Sequence, residues 1–236
     1  YDTAVAYETP FISGKDSMFN DFKGFDEHGN PVKISIPPTL LISSIGVMDN
    51  INKAVSLDAK MPKDLVYIVG LTHNELGASE YFNMFGEQFR GEGYIGNNVP
   101  QVDTDINKDI YKSMSQGIEN GLIASAQSIH RGGLGVALAK TAMGGRLGMD
   151  IQMEKIPGYT TRHDYTLFSE SMGRMIVTVD PHKKEQFEEV MGRNIYSQIG
   201  TVRSDNTFTI RNLNNPIVNT TVDKLLQSYK STFKGY

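Results

Sequence analysis

Leu122-Ile-Ala-Ser-Ala-Gln-Ser-Ile129, then His130-Arg131-Gly132-Gly133, then Leu134-Gly-Val-Ala-Leu-Ala-Lys-Thr-Ala-Met143, is the stretch that decides the fold. Leu122 to Ile129 reads as a strand, and Gly133 to Met143, rich in Ala and Leu, as a helix. A second strand is expected from Leu147 to Met153. Two strands with a helix between them form the crossover unit of a mixed sheet. At the strand-to-helix corner, Gly132 and Gly133 let the backbone approach closely whatever lies in front of the helix. The partial positive charge of a helix N-terminus suits a phosphate or a carboxylate. Two glycines serve equally well to make a tight turn that packs the helix on the sheet, and the residues alone leave both readings open.

The pattern continues on either side of that unit. Leu65-Val-Tyr-Ile-Val-Gly-Leu71 is a buried strand by its run of large apolar residues. Thr72-His73-Asn74 ahead of Glu75 is a helix-start signal, which predicts a helix over 75–86. Ile106, Ile110, Met114 and Ile118 mark one apolar face of a helix over 105–120, ended by Gly121. Further strands are expected over 174–179, 195–202 and 207–210, with a helix over 181–191 and a short closing helix over 225–229. Upstream, residues 8–20 and 34–48 are β-rich runs joined by a polar return carrying Gly24, His28, Gly29, Asn30 and Pro31. Two strands cannot bury both of their faces, so they read as the tail of a sheet begun upstream. The polar, Pro62-containing stretch from Asp49 to Lys63 is the expected domain linker.

Composition narrows the function. With 23 basic against 27 acidic residues, a net charge of −4 and no basic run, a general nucleic-acid surface is not expected. No apolar stretch reaches membrane-spanning length, so no membrane partner is expected either. The absence of Cys rules out a disulfide frame, a thiol nucleophile and a thiolate zinc site, and fits a cytoplasmic chain. Beginning at Tyr1 without Met or leader, the sequence reads as an excised piece.

Four segments carry candidate chemistry. Gly14-Lys15-Asp16-Ser17 closes an apolar run with a glycine, a cation able to meet a phosphate and a carboxylate able to hold a divalent metal, although a turn with a surface ion pair explains it too. Its spacing is not that of a P-loop. Thr72 and Asn74 offer a hydroxyl and an amide at the expected helix start, for an anion or simply as caps. Arg131, Gly132 and Gly133 form the turn described above, where His130 has no identifiable catalytic partner. Leu167-Phe-Ser-Glu-Ser-Met-Gly-Arg174 supplies Glu170 and Arg174 as an ion pair or a ligand clamp. No catalytic residue and no metal ligand is singled out within the chain.

The order of these segments resembles the phosphoribosylformylglycinamidine synthase family. The resemblance runs through Pro10-Phe-Ile-Ser-Gly-Lys-Asp-Ser-Met18, Ile36-Pro-Pro-Thr-Leu-Leu-Ile-Ser-Ser44, Val69-Gly-Leu-Thr-His-Asn-Glu-Leu-Gly-Ala-Ser-Glu-Tyr81, the 121–139 stretch and the 167–174 stretch. It implies an α+β fold: a three-layer, mixed-sheet C-terminal domain of the aminoimidazole ribonucleotide synthetase-like superfamily over 57–236. Residues 1–52 would be the last strands of the preceding N-terminal domain, both in the second of two internal repeats. It also implies an ATP- and Mg²⁺-dependent ligase of purine biosynthesis, in which formylglycinamide ribonucleotide and glutamine-derived ammonia give the amidine. The implied partners are the remainder of the synthetase chain and a glutaminase subunit or domain. The family places its catalytic centre in the first repeat, so this piece alone is expected to be an inactive scaffold or auxiliary half. A noncatalytic module, or another ATP-dependent relative such as a cyclo-ligase, are the alternatives. Where the family commonly has His-Asp-x-Ser-(Asp/Glu)-Gly-Gly, this chain has Gln127-Ser-Ile-His-Arg-Gly-Gly133. Ser128 stands at the metal-binding Asp, and Arg131 at an acid. Losing a carboxylate and gaining a cation argues against a Mg²⁺-nucleotide at this turn.

Overall fold

The computed structural model describes residues 1–15, 21–37, 39–232 and 234. It divides into two compact units, Tyr1–Ile51 and Asn52–Tyr236.

In the first unit a short helix α1 (Asp2–Ala6) precedes an antiparallel hairpin of β1 (Phe22–Phe25) and β2 (Pro31–Ile34), with Phe22 opposite Ile34. Asp26 makes the turn: its Oδ1 accepts from the amides of His28 (2.9 Å) and Asn30 (2.8 Å). The polar return is therefore real, but its strands take in Gly24 and Pro31 of the return itself and, of the described part of the flanking apolar runs, only Ile34. Among the described residues, 8–15 and 35–48 contain no strand, which corrects the sequence expectation. Leu40 and Leu41 are more than four-fifths exposed there. An apolar run becomes a strand only when a neighbour takes up its backbone hydrogen bonds.

The second unit runs β3 (Leu65–Val69), α2 (Glu80–Arg90), α3 (Thr104–Glu119), β4 (Ser125–Ser128), α4 (Gly133–Gly145), β5 (Met149–Gln152), α5 (His163–Phe168), β6 (Met175–Val179), α6 (Lys184–Met191), β7 (Tyr196–Val202), β8 (Thr207–Asn212), β9 (Asn215–Thr221) and α7 (Val222–Ser231). Among the described residues these strands form one seven-stranded sheet in the order β4-β6-β3-β7-β5-β8-β9. Every neighbouring pair is antiparallel except β5 and β8. The crossover from β4 through α4 thus reaches β5 by passing over three strands.

Alternation along the central strands builds two cores, one on each face. Val66 and Ile68 of β3 and Ile176 of β6 join Leu134 and Leu138 of α4, Leu167 of α5 and Val222 of α7. Tyr67 and Val69 of β3 and Val177 and Val179 of β6 join Ile110 and Met114 of α3 and Phe187 and Met191 of α6. The result is the expected three-layer arrangement around a mixed sheet. On α3, Ile110 and Met114 are fully packed, whereas Ile106 at the N-terminal end of the same stripe is exposed.

Several boundaries differ from the sequence reading. The helix expected from residue 75 starts at Glu80, capped by the Ser79 hydroxyl accepting from the Phe82 amide. Residues 75–79 turn instead, with Ala78 at φ 59°, and the Glu75 carboxylate accepts from the Gln101 amide. The closing helix is longer than expected, and α5 and β9 were not expected at all. β9 contains Pro216, which suits its place at the sheet edge, where a missing N–H costs no ladder bond. The linker stretch is partly integral to the second unit: Ser56 O accepts from Ala126 N, and Ala59 is buried in the core.

Candidate functional site

The chemistry-bearing segments of the second unit converge where α2 and α4 begin. α4 opens on Gly132 (φ 84°) and Gly133 (φ 68°), both in the left-handed region that favours glycine. A Cβ on Gly133 would lie 2.6 Å from Ser169 O and 2.7 Å from Leu167 O, so this glycine lets the turn pass directly against the end of α5. Gly132 has no side chain with which to cap the helix.

The cap comes from elsewhere in the chain. Glu170 Oε1 accepts from the Gly132 amide (2.8 Å) and from the Glu80 amide (3.0 Å). One half-buried carboxylate oxygen therefore serves the N-termini of α4 and α2 together, where the helix dipoles favour negative charge. Its backbone is fixed by its N–H to Glu75 O (3.1 Å), and the neighbouring Ser169 hydroxyl donates to His73 O (2.6 Å). Arg131, exposed on the outer side of the turn, pairs with the Glu80 carboxylate.

Arg174 is fully buried beneath this cluster. It donates to Ser171 O (2.9 Å), Ser169 O (2.7 Å) and Thr72 Oγ1 (2.9 Å). It is not in direct contact with Glu170, so the expected pair or clamp is not formed. Burial pulls its pKa down to about 10, against the opposing pull of the Glu75 and Glu170 carboxylates. The guanidinium is held by neutral oxygens with two carboxylates nearby, an arrangement that knits the 72–75 and 169–174 segments together.

The other sequence candidates are placed as follows. Thr72 is buried, and its backbone bridges to the 157–159 segment through Pro157 O and Tyr159 N. The Asn74 side chain pairs with Thr161, accepting from its amide (3.1 Å) and donating to its hydroxyl (3.3 Å). Both residues brace loops and cap no helix. The Gly133 amide donates to His130 O (2.8 Å). Gly14 and Lys15 belong to the first unit, while Asp16 and Ser17 lie outside the described residues. Among the described residues no group of three His, Asp or Glu side chains is arranged to hold a metal ion. At the 127–133 turn the Gly132 and Gly133 amides already donate within the chain, and Ser128 supplies no charge, so these residues do not fit a Mg²⁺-nucleotide. A polar depression between β8 and β9 contains Arg203 and Arg211, but these already pair with Asp205 and Asp150.

Sequence reasoning missed Ser79 as a cap and Glu170 as the shared anion. Ser79 stood as a strong N-cap residue ahead of an aromatic-rich helix. Glu170 had no local signal, because its partners are 38 and 90 residues away.

A three-layer domain with a seven-stranded mixed sheet and a glycine turn leading into a buried helix defines the structural class. Residues 62–211 match the family described as AIR synthase related protein, C-terminal domain, and the chain belongs to that family. It is similar to the phosphoribosylformylglycinamidine synthase subunit PurL of Limosilactobacillus reuteri (strain DSM 20016), 32% identical over 97% of this chain and 28% of that protein. The Methanococcus aeolicus subunit of the same name is 29% identical over 98% of this chain and 29% of its own. The chain thus spans little more than a quarter of these relatives. Among solved structures, the Thermotoga maritima PurL complexed with FGAR superposes with a TM-score of 0.71, covering 95% of this chain and 36% of that one at 18% identity. That likeness shows the fold. Among the described residues no helix is long and apolar enough to cross a membrane.

Proposed function

We propose that this chain is part of the synthetase component of a phosphoribosylformylglycinamidine synthase. In this reading, 57–236 is the C-terminal domain of the second synthetase-like repeat and 1–52 the end of that repeat's N-terminal domain. The observation that carries it is the likeness to PurL subunits over 97% and 98% of the chain, spanning both compact units. In the whole protein, ATP with Mg²⁺ supplies the phosphoryl group that makes the amide oxygen of formylglycinamide ribonucleotide a leaving group for glutamine-derived ammonia. The partners are the rest of the synthetase and a glutaminase subunit or domain, and the location is the cytoplasm.

This chain's own share is that of a brace. The reading is supported by the engaged amides of Gly132 and Gly133, by the Arg131–Glu80 pair and by Ser128 in place of a carboxylate. Gly14, Lys15, Asp16 and Ser17 are the residues proposed to face a phosphate once the remainder of the protein is present. Two measurements test the reading. Deleting the coding segment from its host should create a requirement for added purine that the whole reading frame relieves. The purified chain with ATP, formylglycinamide ribonucleotide and ammonium should form no amidine above a blank. Growth without purine after the deletion overturns the assignment, and turnover by the chain alone overturns the brace.

A further inference from the structure

We infer that Glu170 is a built-in anion: its carboxylate holds the place between the α2 and α4 N-termini that an external phosphate or small carboxylate would otherwise take, and so closes the turn against such ligands. This stands or falls independently of the synthase assignment.

Three observations converge on it. The first is the sharing of one oxygen, since Glu170 Oε1 accepts from the Glu80 amide and the Gly132 amide at once. These amides open helices of 11 and 13 residues, long enough to present dipole charge at their ends. The second is the lack of any alternative acceptor on α4: Gly132 cannot cap itself, and the first turn carries no acid. The third is the buried Arg174 guanidinium, all of whose recorded hydrogen bonds go to neutral oxygens. Its charge is balanced across space by Glu75 and Glu170. Removing the Glu170 carboxylate would leave two amides without an acceptor and take away one of the two carboxylates near a buried cation, a combination that draws in a free anion. The backbone holds the carboxylate in place, because Glu170 N–H is tied to Glu75 O and Ser169 is buried. The contact therefore does not depend on a mobile loop.

The contact acts as a plug. An external phosphate competes with a group that is covalently present at high effective concentration, and the tethered group wins. The Glu80 side chain at the start of α2 is itself engaged, in an ion pair with Arg131.

The test uses the whole 236-residue chain with Glu170→Ala and Glu170→Gln, each compared with the unsubstituted protein. Thermal unfolding is followed in sodium chloride and in sodium phosphate of equal ionic strength, and the amide resonances of Glu80 and Gly132 are followed as inorganic phosphate is added. The expected result is that Glu170→Ala unfolds at lower temperature and regains part of the loss specifically in phosphate. Its Glu80 and Gly132 resonances should shift with a dissociation constant at least about tenfold below any seen in the unsubstituted chain. Equal phosphate shifts in the unsubstituted chain would show an open site and overturn the inference, as would a Glu170→Ala protein of undiminished stability or one indifferent to phosphate. If Glu170→Ala does not fold, the isosteric Glu170→Gln decides. It keeps an oxygen acceptor and loses only the charge, so a lowered unfolding temperature supports the built-in anion, and an unchanged one overturns it.

Discussion

Helices α2 and α4 begin side by side on the same carboxylate, yet they are made by opposite means. α2 follows local rules. Ser79 caps it, Glu80 lies in its first turn and Arg90 in its last, and Gly91 ends it at φ 75°. α4 has no side-chain cap, no acid in its first turn, no base in its last, and Arg146 rather than glycine in the left-handed position at its end. What holds it is burial: Leu134, Ala137, Leu138, Thr141 and Ala142 are all inaccessible. A helix that satisfies local rules can lie at the surface, whereas one that ignores them must be held by the rest of the molecule.

That contrast can be broken most severely at Gly133. Gly133→Ala puts a Cβ against the Ser169 and Leu167 carbonyls at a left-handed φ and is expected to cost about 3–5 kcal/mol from strain plus overpacking. Urea unfolding checks it, and a loss below about 1 kcal/mol would mean that the turn relaxes freely. Leu138→Ala, in the fully buried stripe of α4, should cost about 3 kcal/mol, since truncation leaves a cavity facing the sheet. Truncating Phe89 on α2, which is 63% exposed, should cost several-fold less in the same assay.

Changes to α2 should be milder. Ser79→Ala removes the cap and should cost about 1 kcal/mol, visible as faster hydrogen exchange at the Phe82 amide. The Tyr81 hydroxyl donates to Asp164 at 2.6 Å, while its ring stacks on Phe168 at 4.9 Å. Burial, the Asp164 hydrogen bond and the Asp164 charge push the Tyr81 pKa up to about 12. A folded-state pKa above the unfolded value of 10 stabilises fully below pH 10, and that stability is lost as pH rises through about 12. Tyr81→Phe should therefore cost about 1 kcal/mol at neutral pH, and the gap to the unsubstituted protein should narrow between pH 10 and 12. A gap that widens over that interval would show that the hydroxyl does not act through this bond. The smallest effect belongs to Arg131→Ala, an exposed ion pair with Glu80, which should stay under about 1 kcal/mol in a double-mutant cycle and shrink with salt.

How far the chain could be read follows the range of the interactions involved. Strands β3 and β6 are near-continuous apolar runs because they are central and covered on both faces. The start of α2 was misplaced because Thr72 and Asn74 look like caps, while their side chains are committed to Arg174 and Thr161, 102 and 87 residues away. The runs over 8–15 and 35–48 carried strand composition without, among the described residues, a pairing partner, and composition cannot supply one. At the candidate site, Gly132 and Gly133 were legible as a turn against a helix, but Glu170 was read as the partner of Arg174.

By itself the sequence determined the alternation of elements, the glycine corner before α4, the absence of thiol chemistry and the ordered motifs that resemble one enzyme family. These follow from period, propensity and backbone freedom, which act over a few residues. Only the tertiary structure decided the strand order, with β4 and β5 three strands apart, and only it brought Glu170 to the amides of Glu80 and Gly132. Pairing and charge placement of that kind depend on which distant segments meet, and no local pattern encodes the meeting.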